Sequence, residues 1–251
     1  MDNGDITKKR LLDLAKRSYD GGYYLFSDFL DLAGQSDLTA VRAAFGHKAY
    51  TTFGGADGAE RVMARFGNEE ELGYTEDFPI SCIRCEPKSM KFADKLTHRD
   101  FLGALMNLGI ERSTLGDIIV SENVGYIFAK TDICEFIITE LIKVKRTDVI
   151  CSITDDIPAG ELYKTERKVV QAVGERIDAV IAKVFSISRE ESLSYFKKRL
   201  VFVDGRQIEN NSYIPKSGEK VSVRGLGRFI YLGYQTLSKK GKLNIEVDLY
   251  V

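Results

Sequence analysis

One short predicted helix near the end of the sequence carries an unusual number of basic side chains. The helix covers the stretch SREESLSYFKKR, and its bases are Arg189, Lys197, Lys198 and Arg199. Guanidinium and ammonium groups bind phosphate, and the free amides at the start of a helix also favour an anion beside Arg189. These residue types at this place therefore indicate a surface that binds phosphate groups.

Further bases follow this helix at turns and at strand ends. Asp204-Gly205 predicts a tight β-hairpin turn, and Arg206 comes directly after it. Arg224 and Arg228 come from the next strand and its exit. If the basic helix and its neighbour pack on a small sheet, we expect these bases to lie along one ridge. An ordinary solvated charge face is the alternative interpretation.

The charge of the chain is divided unevenly along its length. The net charge is −1 overall, but residues 162–251 contain 17 Lys and Arg against 10 Asp and Glu. The net charge is therefore +7 for this segment and −8 for residues 1–161. A basic segment on an acidic body points to a polyanionic partner, because neutralisation of phosphates drives such binding. A basic tail without a partner remains the other interpretation.

The composition restricts the class of protein. An apolar fraction of 44% and a charged fraction of 29% are ordinary for a globular protein and exclude wholesale disorder. No run approaches the length of about 18 apolar residues that a membrane helix needs. The N-terminus is charged and helix-like, without a signal-peptide core, so we expect a cytoplasmic protein that does not contact a membrane.

The last region, residues 165–251, predicts two helices and a small curled sheet. ERIDAVIAKVF has an apolar stripe at helical spacing, and Ser188 and Glu191 predict a capping box at the start of the basic helix. Strand patterns follow, and the last of them, LNIEVDLYV, alternates in polarity. Its apolar face consists of Leu243, Ile245, Val247, Leu249 and Val251. Residues 158–160 and the charged stretch YKTERK separate this region from the preceding one.

The middle region, residues 76–160, alternates strand and helix patterns. FPISCIRCEP, LGDIIVSE, VGYIFAK and DVICSITD predict strands, while THRDFLGALMNLG and TDICEFIITELIKV predict helices. Thr97 and Asp100 predict a capping box at the start of the first helix. The resulting order, βαββαβ, is the ferredoxin-like (RRM-like) pattern. This copy lacks the aromatic strand motif with which such sheets stack bases.

The first region, residues 1–75, predicts a mainly helical segment. KKRLLDLAKRSYD places Leu11, Leu12, Leu14 and Ala15 near one face of a helix. In TTFGGADGAERVMARFG, the glycines predict a tight turn where two backbones approach closely, followed by a helix from Ala59. A phosphate-binding loop is the weaker interpretation, because no strand clearly precedes the glycines and no P-loop Lys-Ser/Thr pair follows them.

Several patterns suggest chemistry that the rest of the sequence does not support. Cys82 and Cys85 form a CxxC, but no second CxxC or His pair completes a zinc site, so we expect buried, reduced thiols. His98-Arg99-Asp100 resembles a kinase catalytic loop, yet the required Asn is replaced by Leu105. Neither His47 nor His98 is accompanied by acidic or basic residues at a spacing that indicates general acid–base catalysis. We expect neither a metal nor a cofactor.

Four strings in the last region resemble a known RNA-binding domain. They are RIDAVI (176–181), SREES (188–192), VFVDGR (201–206) and SGEKVSVRG (217–225). They resemble the alpha-L domain first seen in the fourth protein of the small ribosomal subunit. Ile177, Asp204 and Glu219 depart mildly from its signature, which has Leu, Asn and Asp there. The added charge of Asp204 weakens its turn as a phosphate contact.

Two further strings extend the resemblance to nearly the whole chain. TFGGADGAERVMARFG (52–67) and LTHRDFLGALMNLGIERSTLGDIIV (96–120) resemble the YlmH family of bacterial proteins. The resemblance implies an α+β chain in which a helical segment and a ferredoxin-like domain precede the alpha-L domain. It also implies a cytoplasmic protein that binds structured RNA, and association with a large ribosomal subunit that carries a stalled peptidyl-tRNA. In this family the gene is typically found near cell-division genes.

The resemblance implies contact with RNA at a defined set of side chains. The set comprises Arg176, Ser188, Arg189, Ser192, Lys197, Lys198, Arg199, Gly205, Arg206, Arg224 and Arg228. The bases are expected to take phosphates. Ser188 and Ser192 either bond backbone oxygens of the RNA or only cap and solubilise their helix. For Arg176, an ion pair with Asp178 or Glu175 is as good an interpretation as an RNA contact.

Three functions remain open at this point. The first is a non-catalytic factor that binds rRNA or tRNA. The second is an RNA-modifying enzyme, such as a pseudouridine synthase, which needs a catalytic Asp in an Arg-Leu-Asp string within a large separate domain. The similar string here, Arg176-Ile177-Asp178, lies within the predicted RNA-binding domain. A methyltransferase needs a glycine-rich cofactor loop that the sequence lacks. The third is a cell-division-linked protein adaptor that uses the acidic residues 1–161.

Overall fold

The computed structural model describes residues 3–45, 50–157, 165–237 and 241–250. The chain divides into two compact units, Met1–Leu162 and Tyr163–Val251. Both mix helices with antiparallel sheets, so the predicted α+β class is confirmed. None of the described helices is long and apolar enough to cross a membrane. The expected division at residues 1–75, 76–160 and 165–251 stays a prediction.

The first part of the first unit combines a small sheet with three α-helices. Its elements are α1 (Asn3–Gly21), β1 (Leu25–Phe26), α2 (Leu32–Val41), β2 (Tyr50–Phe53), β3 (Met63–Phe66) and α3 (Glu69–Leu72). The sheet has the order β1-β3-β2 and is antiparallel throughout. The predicted apolar face of α1 is confirmed, because Leu11 and Ala15 are buried against Phe66 and its neighbours.

The second part of the first unit contains the predicted βαββαβ order, with one additional two-residue strand before the last strand. Its elements are β4 (Ile80–Pro87), α4 (His98–Asn107), β5 (Leu115–Ser121), β6 (Val124–Lys130), α5 (Thr131–Glu140), β7 (Lys143–Val144) and β8 (Thr147–Ile153). The sheet has the order β5-β6-β4-β8-β7. Both helices pack on one face of it, where Phe101, Leu105 and Ile137 are completely buried. The capping box of Thr97 and Asp100 is present.

The two sheets of the first unit are tied together where the glycines lie. A Cβ on Gly55 would stand 2.3 Å from the ring of Phe128 in β6, and one on Gly54 would stand 2.4 Å from the Arg61 carbonyl oxygen. The prediction of close backbone approach is therefore confirmed. Asp117 in β5 accepts the backbone N–H of Glu60 at 2.6 Å, which fixes the same loop on the larger sheet.

The second unit packs two helices against one face of a six-stranded sheet. Its elements are β9 (Thr165–Ala172), α6 (Ile177–Val184), α7 (Arg189–Lys197), β10 (Val201–Val203), β11 (Arg206–Gln207), β12 (Lys220–Val223), β13 (Gly227–Leu237) and β14 (Leu243–Tyr250). The sheet has the order β11-β10-β12-β13-β14-β9. The inner face and the helices share one apolar core, which includes Val180, Phe196, Val221 and Val247. The apolar face predicted for β14 is confirmed for its described residues.

Two local predictions were wrong, and both concern strands that pair over long distances. The helix expected from Ala59 is absent; β3 occupies this stretch and pairs with β1 and β2. The charged stretch YKTERK was taken as a spacer, but β9 begins at Thr165 and pairs with β14 over eight residues. The predictions for residues 158–160, His47 and Val251 lie outside the described residues.

The four cysteines are buried and free, as expected. Cys85 in β4 lies opposite Cys151 in β8, within the core beneath the helices. Burial raises the pKa of Cys82 to about 12. In the described ranges, no group of three or more His, Cys, Asp and Glu side chains is arranged to hold a metal ion.

Candidate nucleic-acid interface

A buried carboxylate holds two of the predicted bases together. Asp178, in the first turn of α6, is completely buried. Its carboxylate accepts hydrogen bonds from Arg176 at 3.1 and 3.3 Å and from Arg189 at 3.1 Å. The two guanidinium side chains remain 43% and 56% exposed. The ion pair of Arg176 with Asp178, one of the two interpretations from sequence, is therefore present.

The Asp178 cluster itself carries a positive charge. Two guanidinium groups share one carboxylate, so these three side chains have a net charge of +1. Glu190 and Glu191 lie in the first turn of α7, so the basic character is confined to the exposed guanidinium groups and does not extend over the whole helix start. The helix dipoles add partial positive charge there. Because the arginine planes are fixed by hydrogen bonds on one side, their remaining N–H groups are oriented towards solvent, where a phosphate can accept them.

The two predicted serines serve the start of α7. Ser188 is the N-cap, and its hydroxyl accepts the N–H of Glu191 at 3.0 Å. Ser192 is completely buried and donates to the Asp178 carbonyl oxygen at 2.8 Å. Its hydroxyl therefore joins the two helices, and no part of it lies at the surface. The expectation of an RNA contact at Ser192 does not fit this placement, because the group is already bonded inside the unit.

Three consecutive bases lie at the end of α7. Lys197, Lys198 and Arg199 are all exposed. Arg199 has a φ of +58°, which ends the helix, and its guanidinium lies 3.2 Å from Glu209. The backbone N–H of Arg224 donates to the carbonyl of Leu200 at 2.9 Å, which brings the end of β12 beside this basic segment.

The predicted hairpin turn is confirmed between β10 and β11. Val203 pairs with Arg206, so Asp204 and Gly205 form a two-residue loop, with φ values of +46° and +74°. Positive φ at both positions is the type I′ geometry. The Asp204 carboxylate accepts the backbone N–H of Lys220 at 2.9 Å. Arg206 is exposed at the tip of this hairpin.

The remaining two arginines lie against aromatic rings on the outer face of the sheet. Arg224 stacks over Phe202 at 4.5 Å, and Arg228 stacks over Tyr250 at 4.8 Å. Phe202 lies opposite Ser222, which lies opposite Arg228, so these side chains form one cross-strand row. Val201 and Val203 point into the core, so this row belongs to the face that the helices do not cover.

The comparison with known proteins identifies the family. A family model described as "Putative RNA-binding domain in YlmH" matches residues 74–155. The chain is 30% identical over 229 residues to "Ribosome-associated protein quality control protein P2" of Bacillus subtilis (strain 168), covering 88% of this chain and 86% of that protein. This chain belongs to the YlmH family. A solved structure, "Cell division protein ylmH from Streptococcus pneumoniae", gives a TM-score of 0.49 at 23% identity, covering 61% of this chain and 93% of that one.

Membership of the YlmH family confirms the recognition made from the quoted strings. The family model covers the βαββαβ part, whereas the predicted contact residues all lie in the second unit. The structure shows which of the predicted contact residues lie close to one another. Arg176 and Arg189 meet on Asp178, the end of α7 lies beside Arg224, and Arg228 belongs to the outer sheet face.

Sequence reasoning missed the central position of Asp178 and the two stacking rings in this YlmH-family chain. The sequence suggested Asp178 only as an ion-pair partner of Arg176. In the structure its carboxylate also accepts a hydrogen bond from Arg189 at the start of α7. The alternation of VFV was a usable signal for Phe202, because two buried valines place the middle residue on the opposite face.

Other acids near the second-unit core are occupied by tyrosines. Tyr213 donates to both carboxylate oxygens of Glu219 at 2.8 Å, and Tyr231 donates to Glu175 at 2.5 Å. Burial, followed by the hydrogen bond to Glu219, raises the pKa of Tyr213 to about 12. Burial, followed by the hydrogen bond to Glu175, raises the pKa of Tyr231. Both phenols therefore remain protonated donors at neutral pH, and these two acids are engaged inside the unit.

Proposed function

We propose that this chain is a non-catalytic RNA-binding protein that acts at the ribosome in the bacterial cytoplasm. In the proposed role it binds structured rRNA or tRNA on the large subunit and takes part in the quality control of stalled nascent chains. The proposal rests mainly on one observation: half-exposed or exposed bases surround the starts and the end of the α6–α7 pair. The printed name of the Bacillus subtilis relative supports the ribosomal part of it.

The chemistry of the second unit favours a phosphate-rich partner. Arg176 and Arg189 are pre-oriented by Asp178, so they lose little side-chain entropy when they bind an oxyanion. The exposed bases at the end of α7 add charge without a fixed geometry. Such a combination suits the backbone of folded RNA, where shape and phosphate spacing are recognised.

The proposed contacts can be tested by sedimentation with purified large ribosomal subunits. Arg189→Ala combined with Arg199→Ala should reduce the bound fraction. It should also lower the slope of log affinity against log salt by about 1.4–1.8, since two phosphate contacts are lost. Lys9→Ala with Lys16→Ala, on exposed positions of α1, is the matched control and should bind as wild type. Unchanged binding of the arginine variant would remove the proposed surface.

The non-catalytic part of the proposal needs a separate test. The purified chain would be incubated with total bacterial RNA, and the digested nucleosides would be compared with an untreated sample by mass spectrometry. We expect the same nucleosides in both samples. A new modified nucleoside that depends on the protein would show an enzyme and overturn this part.

A further inference from the structure

The connection between β4 and α4 in the first unit presents the most exposed aromatic ring among the described residues. Phe92 is 80% exposed, and Met90, in the same 3₁₀ turn, is 56% exposed. Lys91 lies between them, with its Nζ 5.4 Å from the centre of the Phe92 ring. At this exposure the Phe92 ring lies outside the core, and most of its surface is accessible to another molecule.

Exposed bases are concentrated in the segments near this ring, although the sequence up to residue 161 is negatively charged as a whole. They come from the β4–α4 connection, the first turn of α4, β7 and the β7–β8 turn. The bases are Lys88, Lys91, Lys95, Arg99, Lys143, Lys145 and Arg146. The acids in the same segments are Asp94, Asp100 and Asp148. Glu122 and Glu140 lie beside these bases as well, so seven bases face five acids. The local charge is positive, whereas the charge of residues 1–161 as a whole is negative.

Backbone and side-chain contacts show that the two segments meet. The N–H of Lys88 donates to the Asp148 carbonyl oxygen at 2.9 Å. The ammonium of Lys145 donates to the Lys95 carbonyl oxygen at 3.2 Å and lies 2.9 Å from the Asp100 carboxylate. Arg146 pairs with Asp94 at 3.2 Å. The seven bases therefore belong to one surface, which we call the first-unit basic surface.

A rigid frame supports this surface. The Asp94 N–H donates to the Thr147 hydroxyl at 2.9 Å. Asn123, at the β5–β6 turn with a φ of +70°, accepts the Leu96 N–H at 2.7 Å and donates to the Asp94 carbonyl oxygen at 2.9 Å. Residues 94–96 are thus fixed to the sheet on two sides. The Phe92 turn projects from a fixed base, which reduces the entropy that binding would cost.

The acids of the surface are already paired with their own neighbours. The hydrogen bond from Arg146 lowers the pKa of Asp94, and hydrogen bonds from Thr97 and then Lys145 lower the pKa of Asp100. Within the described ranges, Lys88, Lys91, Lys95 and Arg99 have no carboxylate at ion-pair distance. Four cations of the first-unit basic surface are therefore available to a polyanionic ligand, and Lys91 is the one in contact with the Phe92 ring.

We propose that the first-unit basic surface is a second RNA-contacting site, where Phe92 stacks on an unpaired base and the surrounding cations hold the adjacent phosphates. The inference rests on the proposed function and deepens it, because it assigns single-stranded or loop RNA to this site. An aromatic ring among cations is the arrangement by which proteins hold unpaired strands. A protein partner would meet the apolar turn but would need an acidic surface to match the four bases that have no carboxylate partner.

The ring is tested by one substitution with a matched control. The probe is a fluorescein-labelled RNA hairpin with a 12-nucleotide unpaired loop, and the comparison RNA has the same stem closed by a short loop. Phe92→Ala should weaken binding of the full chain to the long-loop RNA by about tenfold, since stacking on one base contributes about that factor. Phe136→Ala removes a half-exposed ring from α5 and should bind as wild type.

The cations are tested through the dependence of binding on salt. Lys95→Ala with Arg99→Ala should lower the slope of log affinity against log salt by about 1.4, since two single-strand phosphate contacts are lost. Lys9→Ala with Lys16→Ala changes the net charge equally and should leave that slope unchanged.

The outcomes separate this inference from the proposed function. If wild type binds the long-loop RNA and both test variants bind it equally well, the second site is wrong while RNA binding stands. If Phe92→Ala weakens both RNAs equally, the ring does not stack on unpaired bases, and the inference is overturned. If wild type binds neither RNA nor large subunits, the proposed function fails and the second site fails with it.

Discussion

Replacing Asp178 by Asn tests whether one buried carboxylate organises the α6–α7 pair. The substitution keeps the size of the side chain but removes the charge that both arginines face. Its N–H₂ group would also oppose one guanidinium. The hydroxyl of Ser192 is unaffected, because it donates to the backbone carbonyl of Asp178.

The expected loss follows from the contacts that the carboxylate makes. Arg176 and Arg189 together donate three hydrogen bonds to it. Removing one partner of a fully buried ion pair costs about 3–5 kcal/mol. Here the guanidinium side chains are 43% and 56% exposed and can be rehydrated, so the full figure does not apply. We expect about 2 kcal/mol, which is roughly a 30-fold change in an opening equilibrium.

Hydrogen exchange measured by mass spectrometry reports the opening of individual segments. A local measurement is needed because the two compact units need not unfold together. Amides of α6 and the first turn of α7 should exchange roughly 30-fold faster in Asp178→Asn, and those of β4–β6 should not change. Affinity for large ribosomal subunits should fall as well, since both arginines lose their orientation. Exchange of α6 within twofold of wild type would show that the Asp178 carboxylate does not stabilise the α6–α7 pair.

Asp248→Asn is the matched control for this prediction. Asp248 also pairs with an arginine of the second unit, Arg167, but it lies at the sheet surface, where water screens the pair. We expect a loss of at most about 1 kcal/mol and unchanged ribosome binding. If both substitutions lowered stability and ribosome binding equally, Asp178 would contribute no more than an ordinary surface ion pair.

Three further predictions concern close packing, thiol ionisation and the hairpin. Gly55→Ala should lower the thermal unfolding temperature of the first unit, measured by scanning calorimetry, because the added methyl group meets Phe128 and the φ is +96°. Cys82 should react with iodoacetamide at least 10-fold more slowly in the native chain than in urea at pH 9, because burial raises its pKa to about 12. The thiol ionises more readily in the unfolded chain, so the free energy of unfolding should also fall as the pH rises from 9 towards 12. Gly205→Ala should cost about 1–2 kcal/mol in urea unfolding of the second unit, since φ is +74°.

Each of these three has an outcome that would count against it. Gly58→Ala shares a positive φ but has nothing within 4 Å of the added Cβ, so it should be milder than Gly55→Ala. Equal alkylation of Cys82 in native and unfolded chain would show that the thiol is accessible. A Gly205→Ala variant as stable as wild type would mean that the turn relaxes to another geometry at no cost.

Local patterns predicted those parts of the fold that depend on near neighbours. The βαββαβ order followed from strand and helix periodicity, and the Asp204-Gly205 turn from the backbone freedom of its residues. β3 could not be predicted in this way, because AERVMARF contains good helix formers and becomes a strand only by pairing with β1 and β2. β9 was missed for the same reason, since its partner β14 lies more than 70 residues later in the chain.

In the candidate site too, local sequence predicted some features, whereas others depend on tertiary packing. Helix-capping by Ser188 and the exposure of Lys197 and Lys198 followed from the sequence around them. The burial of Ser192 depends on how α7 packs on α6, which no residue of α7 alone specifies. The stacking of Arg224 on Phe202 likewise depends on the register of β10 and β12.

The bases of the second unit are proposed to contact RNA on the ribosome. Ultraviolet crosslinking of the full chain to purified large ribosomal subunits, with mass-spectrometric mapping of the crosslinked peptides, detects such contacts. We expect crosslinked nucleotides on peptides that contain Arg189, Arg199 or Arg206. Crosslinks found only outside residues 165–250, or none at all from a chain that sediments with the subunits, would show that these bases do not contact the RNA.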